Sequence, residues 1–266
     1  MTASAAEWVP DEVDPAIPSV ARIYDYLLGG AHNFDADRMV GEKVLAVQPN
    51  GRQIARSNRA FMSRAVRFMV DSGIRQFLDL GSGIPTVGNV HEIAQHADPD
   101  CRVVYVDYDP IAVAHSQLIL DQNPRAVVVD ADLTQPQAVL KNSTVRNFLD
   151  FSQPIGLLLV AVFHFVPDSK QPGEIVKKYV DAIPSGSYVA ISHLTADQMA
   201  DEMAGVVEAM KNSRDPMYFR NYADVSALFG GLEVVEPGVV SAPLWRKDYG
   251  EDLDQEGVYV GVGRKH

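Results

Sequence analysis

From about residue 75 onward, short runs of β-branched and aliphatic residues alternate with longer stretches whose apolar positions recur at helical spacing. The runs predicted as strands are Gln76–Leu80, Arg102–Asp107, Ala126–Asp130, Ile155–Phe163, Ser187–His193, Leu232–Val240 and Val258–Val262. Between them, Thr86–Ala97, Pro110–Asp121, Glu174–Ala182 and Ala196–Lys211 read as amphipathic helices, the last opened by a capping box of Thr195 and Gln198. Such alternation predicts an α/β fold, a mostly parallel sheet with helices on both faces. The stretch GLLLVAVF has no polar position and reads as a central strand buried on both sides. The last two strands are joined by Pro237–Glu256 with no helical pattern between them, so a hairpin or antiparallel edge strand is expected there.

The first 74 residues have a different pattern. Ser19 can cap a helix through Leu28 that Gly29 and Gly30 stop; a second helix is expected from Asp35 to Val47, and a third from Arg52 to Val70, closed by Gly73. The expected organisation is a helical extension or cap over residues 1–74 and an α/β core over residues 75–266.

Composition narrows the function classes. A chain of 266 residues with 47% hydrophobic and 22% charged residues is that of a globular protein with a sizeable core. A net charge of −12 argues against nucleic acid and anionic membranes as partners. Cys101 is the only cysteine, which excludes an intramolecular disulfide and a cysteine-rich zinc site; no metal site is expected. The opening residues MTASAAEWVPDEVDP have neither a basic n-region nor an apolar h-region, and the longest apolar run, Ile155 to Val166, is too short to span a bilayer. The expectation is a cytoplasmic, reduced protein.

The chemistry concentrates at the predicted strand ends. The first strand runs into Asp79-Leu80-Gly81-Ser82-Gly83-Ile84-Pro85-Thr86. Gly81 and Gly83 permit a tight turn and close approach of a ligand, but Thr86 stands where the dinucleotide fingerprint has its third glycine, and Pro85 removes an N–H donor. Both changes suit a phosphate-free ligand. The second strand ends at Asp107, which can accept both hydroxyl protons of a ribose, with Tyr108 or Ile111 placed to pack on a base. The third ends in Asp130-Ala131-Asp132-Leu133, where the Asp132 carboxylate can accept from an adenine amino group and the Leu133 N–H can donate to the ring. Taken one at a time, such residues also serve as caps and turn formers. Three signals in register point to an adenosyl ligand without phosphates, S-adenosylmethionine.

At this point the chain resembles a known family. FLDLGSG, VVYVDYDP and VVVVDADL are similar to the motifs of class I methyltransferases dependent on S-adenosylmethionine. PSVARIYDYLLGGAHNFDADR followed by ARSNRAFMSRAVRF resembles a mainly actinobacterial subfamily, formerly catalogued as a domain of unknown function, from about Pro18 to Gly263. The resemblance implies a Rossmann-like fold with a seven-stranded, mostly parallel sheet whose last strand is antiparallel. It also implies S-adenosylmethionine as cofactor and S-adenosylhomocysteine as product. Pro85 departs from the Gly-x-Gly-x-Gly form common in that class.

The methionine end of such a ligand needs further partners. Asp79 and the carbonyls of Gly81, Ser82 and Gly83 can serve its ammonium. For its carboxylate the extension offers Tyr24, Gly29, Gly30 and Asn33, or the stripe Arg52, Arg56 and Arg59, which recurs at helical spacing and is otherwise a solvated face. The fourth strand ends in Ala161-Val162-Phe163-His164, where the reacting methyl should point. His164 is the candidate general base, with loop ordering as its alternative role, and His193 invites the same two readings. AVFH is not the Asn/Asp-Pro-Pro-aromatic turn typical of enzymes that methylate nucleobases. The leading expectation is a methyltransferase acting on a small-molecule acceptor. The alternatives are an S-adenosylmethionine-binding sensor or partner without transferase activity, and an NAD-dependent oxidoreductase, since Asp107 lies 24 residues after Gly83.

Overall fold

The computed structural model describes residues 13–85, 88–247 and 257–266, so the opening residues and Thr86 lie outside the described part. Three helices come first: α1 (Val20–Leu28), α2 (Asp35–Val47) and α3 (Gly51–Asp71). Then follow β1 (Gln76–Leu80), α4 (Val90–Ala97), β2 (Arg102–Asp107), α5 (Pro110–Leu120), β3 (Ala126–Asp130), α6 (Pro136–Lys141), α7 (Ser143–Phe148) and β4 (Gly156–Val160). The chain closes with α8 (Pro172–Ala182), β5 (Tyr188–Leu194), α9 (Ala200–Met210), α10 (Tyr222–Ala227), β6 (Glu233–Val234), β7 (Val240–Ser241) and β8 (Val258–Arg264).

The strands form one sheet in the order β3-β2-β1-β4-β5-β8-β6, with β7 also paired to β8. β1 to β5 are parallel, and β8 runs antiparallel to β5, β6 and β7. This is the Rossmann-like methyltransferase architecture. The strand order reverses between β1 and β4, so ligands are expected beyond the carboxyl end of β1.

Alternating side chains divide into two cores. Leu78, Leu80, Val104, Leu157 and Ile191 face α8, which contributes Ile175, Val176 and Tyr179. Phe77, Val103, Leu158, Ala190 and Val260 face the other way, onto Phe61, Ala65, Val66 and Met69 of α3. The apolar stripe of α3 is thus part of the sheet's own core, and truncating Phe61 to Ala would cost about 3–5 kcal/mol. Gly156 makes this approach possible: a Cβ there would sit 2.6 Å from the Phe77 ring.

Several boundaries differ from the sequence expectation for local reasons. β4 stops at Val160 because Ala161 takes φ +58°, and the chain then enters a 3-10 turn at Phe163–Phe165. The expected Leu232–Val240 strand is broken by a turn in which Gly238, at φ +90°, donates to the Val235 carbonyl at 2.8 Å. That split gives an eighth strand. Thr195 does not open α9: its hydroxyl accepts the Asp197 N–H at 3.2 Å in a local turn, and the helix begins at Ala200. Ser19 sits at the start of α1, yet its hydroxyl is turned away to Asp109 Oδ2 at 2.5 Å.

Among the described residues no helix is long and apolar enough to cross a membrane. Nor, among them, does any group of three or more His, Cys, Asp or Glu residues converge in a way that could hold a metal ion.

Candidate functional site

A cavity of about 350 Å³ lies along the carboxyl ends of β1 to β5, under α1, α3 and α9. That size is within the range of small-molecule sites. Its floor begins at the turn after β1. Gly81 has φ +72°, and a Cβ there would meet Val162 Cγ1 at 2.3 Å, so only glycine fits both the backbone and the space. The Gly81 N–H donates to the Val106 carbonyl at 2.7 Å, which ties the turn to β2.

Asp107 ends β2 as a preset acceptor. Its Oδ2 takes the Gly83 N–H at 2.7 Å and its Oδ1 the Asp109 N–H at 2.9 Å. The residue lines the cavity. Burial outweighs these donors and pushes the carboxyl up to about 6. Asp79, also lining the cavity, is pushed up to about 7, first by burial, with Arg59 opposing and Asp107 reinforcing. A buried carboxyl in this state is stabilised by an arriving cation. Ser82 Oγ is buried in the same turn with no hydrogen-bond partner. A ligand with hydroxyls and an ammonium meets these unfilled demands, so the turn fits an S-adenosyl ligand.

Beyond β3, Asp132 Oδ1 accepts the Thr134 N–H at 2.7 Å and its Oδ2 the Thr134 hydroxyl at 2.8 Å. The turn-forming role and the cavity-lining role therefore coexist in one residue. Leu133 lines the same wall, pinned through its carbonyl by the Tyr179 hydroxyl at 2.8 Å. Ile84 lines the cavity, whereas Ile111, expected as one of two residues placed to pack on a base, is fully buried behind it. Tyr108 is a strut: its hydroxyl donates to Asp215, and the Arg214 guanidinium lies 4.5 Å from its ring centroid. Burial, then the Asp215 contact, raise its phenol further.

The extension's residues separate into two groups. Tyr24 lines the cavity, donating to the Ala55 carbonyl at 3.1 Å and accepting from Asn58 Nδ2 at 3.0 Å. Gly30 and Asn33 are set back from it. The Asn33 amide donates to Asp25 Oδ2 at 2.8 Å and to the Gly30 carbonyl at 3.0 Å, building the turn after α1 rather than facing a ligand. Of the arginine stripe, Arg59 lines the cavity, Arg56 is exposed, and Arg52 donates to the Tyr26 carbonyl while its guanidinium covers the Tyr26 ring.

At the end of β4, Ala161 holds its left-handed conformation because its N–H is anchored on Ser192 Oγ at 2.8 Å. Ser192 Oγ in turn donates to Asn58 Oδ1 at 2.5 Å. His164 is buried and lines the cavity, with the Leu194 N–H 3.4 Å from its Nδ1. Burial, then His193 and Arg220, hold its imidazole well below the usual range. His193 is set back from the cavity and saturated. Its Nδ1 contacts the Leu194 carbonyl at 2.6 Å and its Nε2 faces Arg220 Nη1 at 2.8 Å, which fixes a neutral tautomer. Arg220 also donates to the carbonyls of Phe163 and Val166, so it clamps the loop that carries His164.

Sequence reasoning did not find Asn58, Ser192 or Asp25, all of which line the cavity. Asn58 lies inside the ARSNRAF stretch that carried the resemblance, but its partner is 134 residues away.

Residues 6–266 match the family model described as S-adenosyl methyltransferase. A solved structure of a methyltransferase candidate from Thermobifida fusca YX is 37% identical, with a TM-score of 0.92, over 98% of this chain and 99% of that one. A DUF574 family protein from Streptomyces avermitilis MA-4680 is 39% identical, with a TM-score of 0.92, over 95% and 99% of the two chains. The N-methyltransferase NodS from Bradyrhizobium japonicum WM9 is 14% identical, with a TM-score of 0.50 over 81% and 98% of the two chains, and shares the fold alone. No curated protein matches the chain.

Proposed function

The chain belongs to the S-adenosyl methyltransferase family, and we propose that it transfers a methyl group from S-adenosylmethionine to a small-molecule acceptor. The observation that carries this reading is the Asp107 carboxylate, held by the Gly83 and Asp109 N–H groups in the wall of the cavity. Asp107 accepts from the ribose hydroxyls, and Asp132 and Leu133 read the adenine edge between Ile84 and Tyr108. Asp79 and the Gly81–Gly83 turn take the ammonium, with Ser82 Oγ as a further polar partner. Arg59 faces the same space from α3 and is the donor for the carboxylate, while Tyr24, whose hydroxyl proton is committed to the Ala55 carbonyl, shapes that wall from α1.

The bound cofactor supplies an electrophilic methyl on a sulfonium, a good leaving group, for in-line attack by the acceptor. The chain's own work is alignment and exclusion of water. Ala161, locked through Ser192 and Asn58, shapes the passage beside the reacting centre. His164 faces the Leu194 N–H with Nδ1, which places its proton on Nε2, so it orients the acceptor by donating a hydrogen bond instead of abstracting a proton. Nothing in this arrangement requires nucleic acid.

Isothermal calorimetry with S-adenosylmethionine, S-adenosylhomocysteine and NAD tests the reading. Saturable binding of the adenosyl ligands without NAD is the expected result, and binding of NAD alone would overturn it. The sensor reading, binding without transfer, is disfavoured by one feature: the cavity lined by Ala161 and Ser192 is also lined by Ile23, Val44, Met203 and Val206, none of which the cofactor assignment uses.

A further inference from the structure

The titratable groups lining the cavity are unevenly distributed. Asp79, Asp107, Asp109 and Asp132 stand at the ends of β1, β2 and β3. Asp215 is bonded to Tyr108, and Lys170 lies 3.4 Å from Thr134 Oγ1, which places both on that same side. Arg59 reaches the Gly88 carbonyl at 3.3 Å, beyond β1. Asp25 is turned to the N–H of His32, whose ring lies 4.0 Å from His115 of α5. Among the described residues, every charged side chain lining the cavity is therefore drawn to the β1–β3 side.

The far side, beyond β4 and β5, is built differently. Ile23 of α1, Val44 of α2, Met203, Val206 and Met210 of α9, and Leu194 at the end of β5 form one apolar cluster that lines the same cavity. Met217 packs on it from the segment after α9. Between the two sides runs a polar belt: the Tyr24 hydroxyl, Asn58, Ser192 and His164. The belt lies where the proposed transfer would occur.

Resting on the methyltransferase reading, we propose that this chamber receives an uncharged, mainly apolar acceptor whose single polar nucleophilic group reaches back to the belt. A charged acceptor body would lose its hydration against Ile23, Val44 and Val206, where the one amide nearby, Gln48, is turned to Met199 Sδ at 3.3 Å and carries no charge to compensate it. Thioether side chains are polarizable and unbranched, so Met203, Met210 and Met217 can mould to acceptors of more than one shape. The chamber thus selects for hydrophobicity and the belt selects for a hydrogen-bonding group.

Two fluorescent probes with one skeleton test this: neutral N-phenyl-1-naphthylamine and its sulfonated counterpart, 8-anilino-1-naphthalenesulfonate. Each is titrated into full-length protein saturated with S-adenosylhomocysteine, whose own binding is measured by calorimetry. The neutral probe is expected to bind saturably, at one per chain and at least tenfold tighter than the sulfonate. Met210→Glu should weaken it tenfold or more while S-adenosylhomocysteine affinity stays within twofold. If that variant no longer binds S-adenosylhomocysteine, Met210→Gln replaces it, with a threefold loss expected. Equal affinity for the two probes, displacement of the neutral probe by S-adenosylhomocysteine, or indifference to both variants overturns the proposal. Failure of S-adenosylhomocysteine to bind the wild-type protein overturns the methyltransferase reading itself, a separate result from failure of the probe.

Discussion

Ser192 of β5 and Asn58 of α3 meet through a 2.5 Å hydrogen bond, and the same serine oxygen receives the N–H of Ala161 at 2.8 Å. Ser192 is fully buried, so this one hydroxyl joins the helical extension, the end of β4 and the end of β5. Ser192→Ala leaves the Asn58 oxygen without its partner and the Ala161 N–H with only the Ser192 carbonyl, 3.3 Å away. The expected cost is about 1–3 kcal/mol per unsatisfied buried group, read as a lowered midpoint in urea unfolding with an unchanged slope. A midpoint like that of the wild type would show that Ala161 keeps its conformation without help.

Asp107→Ala removes the preset acceptor. Affinity for S-adenosylhomocysteine should fall by about 1.5–3 kcal/mol, the range for a hydrogen bond to a charged group, with the fold retained by circular dichroism. Unchanged affinity would remove Asp107 from the ribose.

Binding should depend on pH through Asp79 and Asp107, held at about 7 and about 6 in the free protein. An ammonium beside Asp79 favours its ionised form, so binding below about pH 7 releases protons, and affinity should rise with pH and level off above neutrality. Calorimetry in two buffers of different ionisation enthalpy reads that release directly. Without ligand the sign reverses. Folded-state values above the unfolded ones mean that the folded protein holds more protons from roughly pH 4 to pH 7, so its stability falls as pH rises through that window.

Tyr108 and Asp215 close one side of the proposed adenosine site from opposite elements, with the backbone N–H of Arg214 further fixed on the Pro18 carbonyl at 3.1 Å. Tyr108→Phe keeps the ring and deletes the bond. Dissociation of S-adenosylhomocysteine, followed by stopped flow, should speed up by roughly three- to tenfold, the equivalent of about 1 kcal/mol. An unaltered rate would mean that release does not pass this contact.

The parts of this protein that were legible in its sequence are those whose causes are local. β1, β2 and β3 appear with the expected ends because an apolar run meets a turn-forming Asp or Gly within a few residues. α2 likewise keeps its expected bounds. Ala161 was hidden because alanine does not advertise a left-handed backbone; the conformation is imposed by Ser192, 31 residues away. The Leu232–Val240 pattern is genuinely strand-like, and tertiary pairing with β8 decided which four of its surrounding residues ladder. At the site, Asp107 and the Gly81–Gly83 turn could be found from spacing. Asn58 could not, since its function depends on which face of α3 meets β5. The apolar chamber is also invisible in one dimension, because α1, α2, α9 and β5 each contribute one to three residues that would pass for ordinary core.

Ser19 turns its hydroxyl from its own helix to Asp109 Oδ2; Asp109 caps α5 with Oδ1 and donates its N–H to Asp107. The helix that roofs the cavity and the carboxylate assigned to the ribose are thus joined by a continuous line of hydrogen bonds. Such wiring limits how the protein can diversify. A transplanted extension from an unrelated enzyme would arrive without the serine that steadies Asp109, and the proposed nucleoside pocket would loosen with it. Changes of acceptor are instead open at inward positions such as Val44, Val206 and Met210, which can be rewritten one side chain at a time without disturbing that line.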